Sequence, residues 1–161
     1  MIIRQHAHFL ADDAGYNADG TFWVKRAGIT DMNSAGWPAG ARFYLVTRLE
    51  LDVEAAAQLH HLSVRVWHSE AGEITSWKQP VAAKVTDATR STYINLQTLL
   101  QFAVPSPGVI GIAAAIDDIQ LPIVRLVAVT NPNAPRSPFV PQIVPPFKTH
   151  GSGKRRRPKT R

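Results

Sequence analysis

Histidines are the residues of this sequence whose spacing comes nearest to a metal site. His6 and His8 stand two residues apart, and Asp12 follows at an even interval. Residues at even spacing in a strand share one face, so two imidazoles and a carboxylate could bind zinc or iron, with His60 or His61 as a further ligand. A small metal-dependent enzyme is therefore one hypothesis. We favour the alternative of polar histidines at a sheet edge, because no third ligand stands at a recognisable spacing.

Other catalytic patterns are missing from the sequence. No serine stands in a Gly-x-Ser-x-Gly elbow, no glycine-rich phosphate loop occurs, and there is no cysteine. The acidic pairs Asp12-Asp13 and Asp117-Asp118 stand in or beside predicted turns, where carboxylates cap backbone amides and face water. We therefore predict a protein that is not an enzyme, and we expect no cofactor and no metal.

Charge gives a sharper signal at the C-terminal end. The 161 residues include 18 Lys and Arg and 12 Asp and Glu, a formal net charge of +6. Residues 1–130 hold 10 of the basic and all 12 acidic residues, a net of −2, so residues 131–161 carry +8. Such an excess attracts phosphates through counterion release, which predicts nucleic-acid binding with little sequence preference. An acidic protein surface is the alternative partner, and a solvated tail without a partner is the third. The six cations of this basic tip are Lys154, Arg155, Arg156, Arg157, Lys159 and Arg161.

The segment before the tip has a composition of its own. Residues 131–161 contain seven of the 12 prolines. Proline lacks the backbone N–H and fixes φ, so we expect an extended arm, with residues 150–161 disordered unless a partner binds them. The apolar residues of this arm are candidates for docking on the protein's own body or on another subunit. They are Phe139, Val140, Ile143, Val144 and Phe147.

Two tryptophans are further candidates for docking. Trp67 and Trp77 are predicted to face each other across a hairpin that turns at Ala71-Gly72, on the face opposite Val64 and Val66. Exposed tryptophans could stack on bases or hold a partner. The alternative, which we favour, is an aromatic pair that only stabilises the hairpin, or a second buried face of the sheet.

Short runs of apolar residues between turn residues must position these side chains. Strands are predicted over 5–11, 22–26, 42–51, 62–67, 74–78, 92–102, 109–116 and 121–129. Val53–Gln58 is the one predicted helix, with Asp52 as its N-cap. About eight strands indicate an all-β protein, an antiparallel β-sandwich domain over residues 1–130 with the extended arm over 131–161.

The last predicted hairpin has apolar residues on both of its faces. Small residues alternate with isoleucines over 109–116, and 121–129 is apolar at both alternations. A strand with one face in water would alternate with polar residues. We therefore expect the small-residue face of 109–115 to be covered by the arm or by another chain; curling of the sheet is the alternative.

Turn residues recur in two predicted hairpins, at Ala11-Asp12, Asp19-Gly20, Ala27-Gly28, Pro107-Gly108 and Asp117-Asp118. In this arrangement the chain resembles a family of short bacterial β-sandwich proteins of unassigned function. The resemblance spans residues 5–130, implies a small β-sandwich and carries over no catalytic residue. In that family Gly or Asn usually follows the final acidic residue, whereas Asp118-Ile119 stands here.

These features predict a structural or binding protein of bacterial or phage type. We expect a β-sandwich subunit of a larger assembly, a ribonucleoprotein or a virion, whose basic arm contacts nucleic acid or a neighbouring subunit. A free-standing protein–protein adaptor with a solubilising tail is the alternative. The sequence shows no signal peptide, no transmembrane run and no cysteine, which predicts a cytoplasmic protein without a membrane partner.

Overall fold

The structure is a computed structural model, which describes residues 2–85, 87 and 89–135. Within these ranges the chain forms ten strands and one four-residue helix, arranged as two packed β-sheets. The predicted all-β sandwich with one short helix is confirmed. In chain order the elements are β1 Ile3–Tyr16, β2 Phe22–Ala27, β3 Asp31–Ser34, β4 Ala39–Leu51, α1 Val53–Ala56, β5 Leu59–His68, β6 Gly72–Ala82, β7 Thr92–Val104, β8 Gly108–Ile116, β9 Ile119–Gln120 and β10 Val124–Thr130.

The first sheet has the strand order β2-β1-β4-β7 and is antiparallel throughout. The second sheet has the order β3-β10-β8-β5-β6, with β9 paired to β8. Its β3 and β10 run parallel, which is the exception to the predicted antiparallel arrangement. The described strands therefore form two layers whose inner faces must be apolar.

Strands β3 and β9 were not predicted from the sequence, and β10 begins later than predicted. Strand β3 has the polar sequence Asp-Met-Asn-Ser, so it lacks alternation and becomes a strand by pairing with β10. Strand β9 has only two residues. Strand β10 begins at Val124, after Pro122, because proline cannot donate a hydrogen bond to the neighbouring strand.

The helix is shorter than predicted but begins where predicted. Asp52 caps it, with Oδ1 accepting a hydrogen bond of 2.7 Å from the Ala55 N–H. Ala55 and Ala56 are buried against the sandwich. A helix of this length persists because of that packing.

The core lies between the two sheets and is built from alternate residues of long strands. Burial of these side chains supplies the main driving force for folding. Leu10, Leu45, Leu49 and Leu100 from the first sheet belong to one cluster with Leu62, Val66, Ile110, Ile112 and Leu126 from the second.

The outer face of the first sheet is covered by the chain's own β1–β2 hairpin. Strand β1 pairs with β4 as far as Ala11, and residues 12–16 then pair with β2 alone. The Tyr16 hydroxyl donates a hydrogen bond of 2.8 Å to the Asn95 carbonyl oxygen in β7, two strands away from β1. A second small cluster lies here, with Ala11, Ala14 and Val46 buried among Phe9, Phe22, Val24 and Tyr44.

Candidate functional site

The two N-terminal histidines lie on different faces of the first sheet. A β-bulge separates Gln5 from Ala7. His6 Nε2 lies 3.0 Å from Glu50 Oε2, whereas His8 Nδ1 lies 2.8 Å from Thr47 Oγ1. Thr47 and Glu50 are three residues apart in one strand, so they point to opposite faces. The prediction that His6 and His8 share a face is wrong, because the bulge shifts the alternation.

Each histidine that could have ligated a metal has a different environment. Burial lowers the pKa of His8 to about 4, so its ring is neutral near pH 7. His60 and His61 lie in β5 of the other sheet and are not brought together with His6. Across the described ranges, no group of three or more His, Cys, Asp or Glu side chains is placed to hold a metal ion.

His60 forms a buried pair with Asp117. The His60 side chain is 1% exposed. Its Nδ1 lies 2.8 Å from Asp117 Oδ2, and its Nε2 lies 2.7 Å from the Ala55 carbonyl oxygen. Both nitrogens therefore face acceptors, which requires a proton on each. Burial disfavours the imidazolium, but the Asp117 carboxylate and the Ala55 carbonyl outweigh it and raise the pKa of His60. The hydrogen bond from His60 in turn lowers the pKa of Asp117.

This pair is arranged to hold elements together. A general base needs one ring nitrogen that can reach a substrate, and both nitrogens of His60 are occupied. Asp117 follows β8 at φ 51°, and its Oδ1 accepts a hydrogen bond of 2.8 Å from the His61 N–H. The pair thus joins the end of β8 to β5 and to α1.

The outer side of the second sheet presents a different set of residues. Strand pairing places Trp67 beside Gly111 and Gly111 beside Arg125, in one row across β5, β8 and β10. These residues alternate along their strands with core residues, so their side chains point away from the sandwich. We call this surface the open face; it consists of Ser63, Arg65, Trp67, Glu73, Ser76, Lys78, Gly111, Ala113, Ala115, Gln120 and Arg125.

The Trp67 indole lies directly on the backbone of Gly111. A Cβ built on Gly111 would stand 2.1 Å from Trp67 Cζ2, so only glycine leaves room for the ring in this position. The Arg65 guanidinium lies 5.7 Å from the centre of the Trp67 ring, within the range of a cation–π contact. The open face thus holds an aromatic ring that lies on the Gly111 backbone and carries the Arg65 guanidinium over it.

A shallow depression of about 540 Å³ lies on the open face, where its lining includes Arg65 and Ala113, one row from Trp67. Of its ten lining residues, two are cations, Arg65 and Lys78, and none is a carboxylate. The hydroxyls of Ser63 and Ser76 and the amide of Gln120 add hydrogen-bond donors. The floor is formed by small residues of β8, Ala113 to Ala115. Such a surface suits an anionic group that approaches the sheet closely.

The predicted tryptophan pair is not formed. Trp67 pairs with Glu73, and Trp77 pairs with Val64, because a bulge between Val66 and Trp67 shifts the register of the hairpin. Trp67 lies on the outer face as predicted, whereas Trp77 shares the face of Val64 and packs against the core. As a candidate docking residue, Trp77 stays a prediction: it is half-buried and contributes to the lining of the depression.

The small-residue face predicted to need a cover forms part of the open face. Gly111 is covered by Trp67 of the same chain, while Ala113 and Ala115 lie at the depression. Cover by the arm or by another chain stays a prediction. The arm's candidates Phe139, Val140, Ile143, Val144 and Phe147, and the tip cations Lys154, Arg155, Arg156, Arg157, Lys159 and Arg161, lie outside the described residues.

Three cations of the open face were missed by sequence reasoning. Arg65, Lys78 and Arg125 come from β5, β6 and β10. The alternation of Arg65 with Val64 and Val66 marks it as outward, and Arg125 between Val124 and Leu126 gives the same signal. Their juxtaposition depends on the pairing of β5 with β8, which joins residues some fifty positions apart and leaves no local trace.

No protein-family model matches the chain. No curated protein matches it at a significant level. The resemblance to short bacterial β-sandwich proteins therefore stays a prediction. Within the described ranges, no helix has the length and apolar character needed to cross a membrane.

Proposed function

We propose that this protein is a non-catalytic structural or binding protein, a β-sandwich subunit of a larger assembly of the ribonucleoprotein or virion type. Its basic C-terminal arm contacts nucleic acid or a neighbouring subunit. The supporting observation is the separation of charge. Strand β10 ends at Thr130, and there the sequence changes from a net charge of −2 to a segment of +8 without an acidic residue.

The body supports this division of roles. Its charged pairs, such as Asp12 with Arg26 at 2.9 Å, hold strands of one hairpin together, and His60 is occupied at both nitrogens. The open face offers a surface with cations and small residues. In this proposal the sandwich supplies a rigid docking unit, and the arm supplies long-range attraction to phosphates.

Binding to a labelled duplex and to a single strand tests the role of the arm. The full chain is compared with a full-length variant in which all six tip cations are changed to Gln. Six phosphate contacts give a log–log salt slope of about −5 on duplex, so binding should collapse between about 50 and 500 mM salt. The Gln variant should lose most of this slope. No binding of the full chain at low salt contradicts the nucleic-acid part of the proposal.

A native mass measurement tests the assembly. A multimer, or a complex with co-purified nucleic acid, is the expected result, and its mass should fall when the tip is neutralised. A strict monomer free of nucleic acid at all concentrations contradicts the assembly role and favours the free-standing adaptor.

A further inference from the structure

We propose that the open face is itself a binding site for single-stranded nucleic acid, with Trp67 as the stacking platform and Arg65, Lys78 and Arg125 as phosphate contacts. The proposal deepens the function proposed above, since it takes the same class of ligand, but it assigns the contact to the body. The arm is not required for it.

The four residues follow an oblique line across the sheet. On β5, Arg65 and Trp67 stand in neighbouring rows. Lys78 on β6 stands one row from Arg65, on the side away from Trp67. Arg125 lies in the row of Trp67, two strands away across Gly111, which is about 10 Å by strand spacing. Successive rows are about 7 Å apart. An extended strand laid along this line would meet a cation before and after the ring.

The charge of the surface favours a polyanion. The line contains three cations, and its nearest carboxylate, Glu73, lies 3.8 Å from the Arg65 side chain. Both members of that pair are more than half exposed, at 62% for Arg65 and 51% for Glu73. Exposed pairs of this kind are weak, so the guanidinium can leave both Glu73 and the face of the Trp67 ring over which it lies, and bind a phosphate instead.

The seated ring favours a single strand over other polyanions. A duplex keeps its bases stacked inside, whereas a single strand can lay a base on an aromatic face. Along β8, Ala113 stands one row and Ala115 two rows from Trp67, and neither has a long side chain to hold a base away from the sheet. An acidic peptide would satisfy the cations but would leave the ring without a partner.

The experiment uses the full-length chain with its six tip cations changed to Gln, so that binding by the arm does not mask the face. Fluorescence anisotropy measures the affinity for a labelled oligouridylate of about twelve nucleotides, within the usual site size of a single-strand-binding domain. An abasic strand of equal charge is the second probe. Trp67→Ala should weaken oligouridylate binding about ten-fold, because base stacking is lost, and should leave abasic-strand binding unchanged.

Arg65→Gln and Arg125→Gln should weaken both probes and reduce the salt slope by about one each. Trp67→Phe should recover part of the loss seen with Trp67→Ala, since it keeps an aromatic face. Arg42→Gln, which removes a cation lying 5.6 Å from the Tyr44 ring on the first sheet, is the matched control and should change neither affinity. Thermal unfolding of each variant identifies any that fail to fold; the arginine variants are surface changes that should keep the fold.

Distinct outcomes separate this inference from the proposed function. Binding by the tip-neutral chain that depends on Trp67 and Arg65 supports the open face, whatever the arm contributes. Strong binding by the unmodified chain that vanishes with the tip and ignores all open-face variants overturns the inference and leaves the arm's role standing. Equal affinity for polyglutamate, insensitive to Trp67→Ala, overturns it in favour of an acidic protein partner.

Discussion

The two sheets of this sandwich bury their inner faces alike but differ on their outer faces. The outer face of the first sheet is closed by the chain's own β1–β2 hairpin, with Phe9 and Phe22 over Ala11 and Val46. The open face of the second sheet has cations and small residues and no covering hairpin from the described chain. Large apolar side chains on an outer face require a cover, whereas cations and alanines tolerate water.

This difference indicates where partners can bind. The hairpin that reaches from β1 to β7 occupies part of the outer face of the first sheet, beside the half-exposed Tyr93 and Leu99 of β7. The open face keeps its cations accessible, with Arg65 62% exposed. In our proposal, the open face of the second sheet is the one that contacts nucleic acid.

The largest expected effect comes from breaking the cover of the first sheet. Phe22→Ala removes a half-buried ring that packs on the small cluster and lies 5.0 Å from the Tyr16 ring. We expect a loss of about 2 kcal/mol in the free energy of unfolding, below the roughly 3–5 kcal/mol of a fully buried Phe. Urea unfolding measures it.

Leu99→Ala is the control for this change. Leu99 is an apolar residue of β7 that is 43% exposed, so its truncation should cost under about 1 kcal/mol. Nucleic-acid binding should be the same in both variants, because the open face lies on the other sheet. Equal losses of stability in the two variants contradict the role of the hairpin as a cover.

An intermediate effect is expected at the His60–Asp117 pair, which joins the end of β8 to β5 and to α1. Asp117→Asn leaves the buried His60 imidazolium without its counter-charge. Removing one member of a fully buried ion pair costs roughly 3–5 kcal/mol, but Asp117 is 34% exposed, so we expect about 1–2 kcal/mol at pH 6. Asp118→Asn, an exposed change in the same turn, is the matched control and should be nearly neutral.

The pH dependence of this loss identifies its cause. The pKa of His60 is raised in the folded state, so its stabilisation is complete below the unfolded value of about 6.5 and is lost as the pH rises through the folded pKa. The lowered pKa of Asp117 gives stabilisation that is lost only as the pH falls below about 4. The difference between Asp117→Asn and the unmodified protein should therefore shrink from pH 6 to pH 9. A difference that stays constant over this range contradicts a charged His60.

The sequence predicted the strands of this fold better than it predicted which side chains meet on each face of the sheets. Alternation and turn residues located eight strands and the cap at Asp52, because each is a local signal. Strand β3 depends on β10 for its pairing, and the bulge after Val66 depends on hairpin geometry, so neither is visible in the pattern. The bulge places Trp77 on the face of Val64, where it packs half-buried against the core. The cations of the open face belong to separate strands, and the pairing of β5 with β8 places those strands in one sheet.

The smallest effect on stability should come from the open face, where the effect on binding should be largest. Gly111→Ala places a Cβ 2.1 Å from Trp67 Cζ2, and the indole must move off the sheet. Overpacking costs roughly 1–3 kcal/mol in a core, and a ring at the surface can turn outward, so we expect about 1 kcal/mol. Urea unfolding of the tip-neutral chain measures this loss.

Single-strand binding by Gly111→Ala then tests whether the position of the Trp67 ring matters, because the ring itself is still present. Gly111→Ala keeps the Trp67 side chain and every cation, so a surface that acts by charge alone should bind as before. Loss of oligouridylate affinity comparable to that of Trp67→Ala, with abasic-strand affinity retained, is the expected result, because stacking requires the ring to be held flat on the strand. Ala113→Gly, one row away on the same strand, changes the floor without touching the ring and should leave the affinity unchanged. If Gly111→Ala binds as well as the unmodified chain, the open face is a charged surface without a stacking platform. It then differs from the closed face only in how far its side chains are exposed to water.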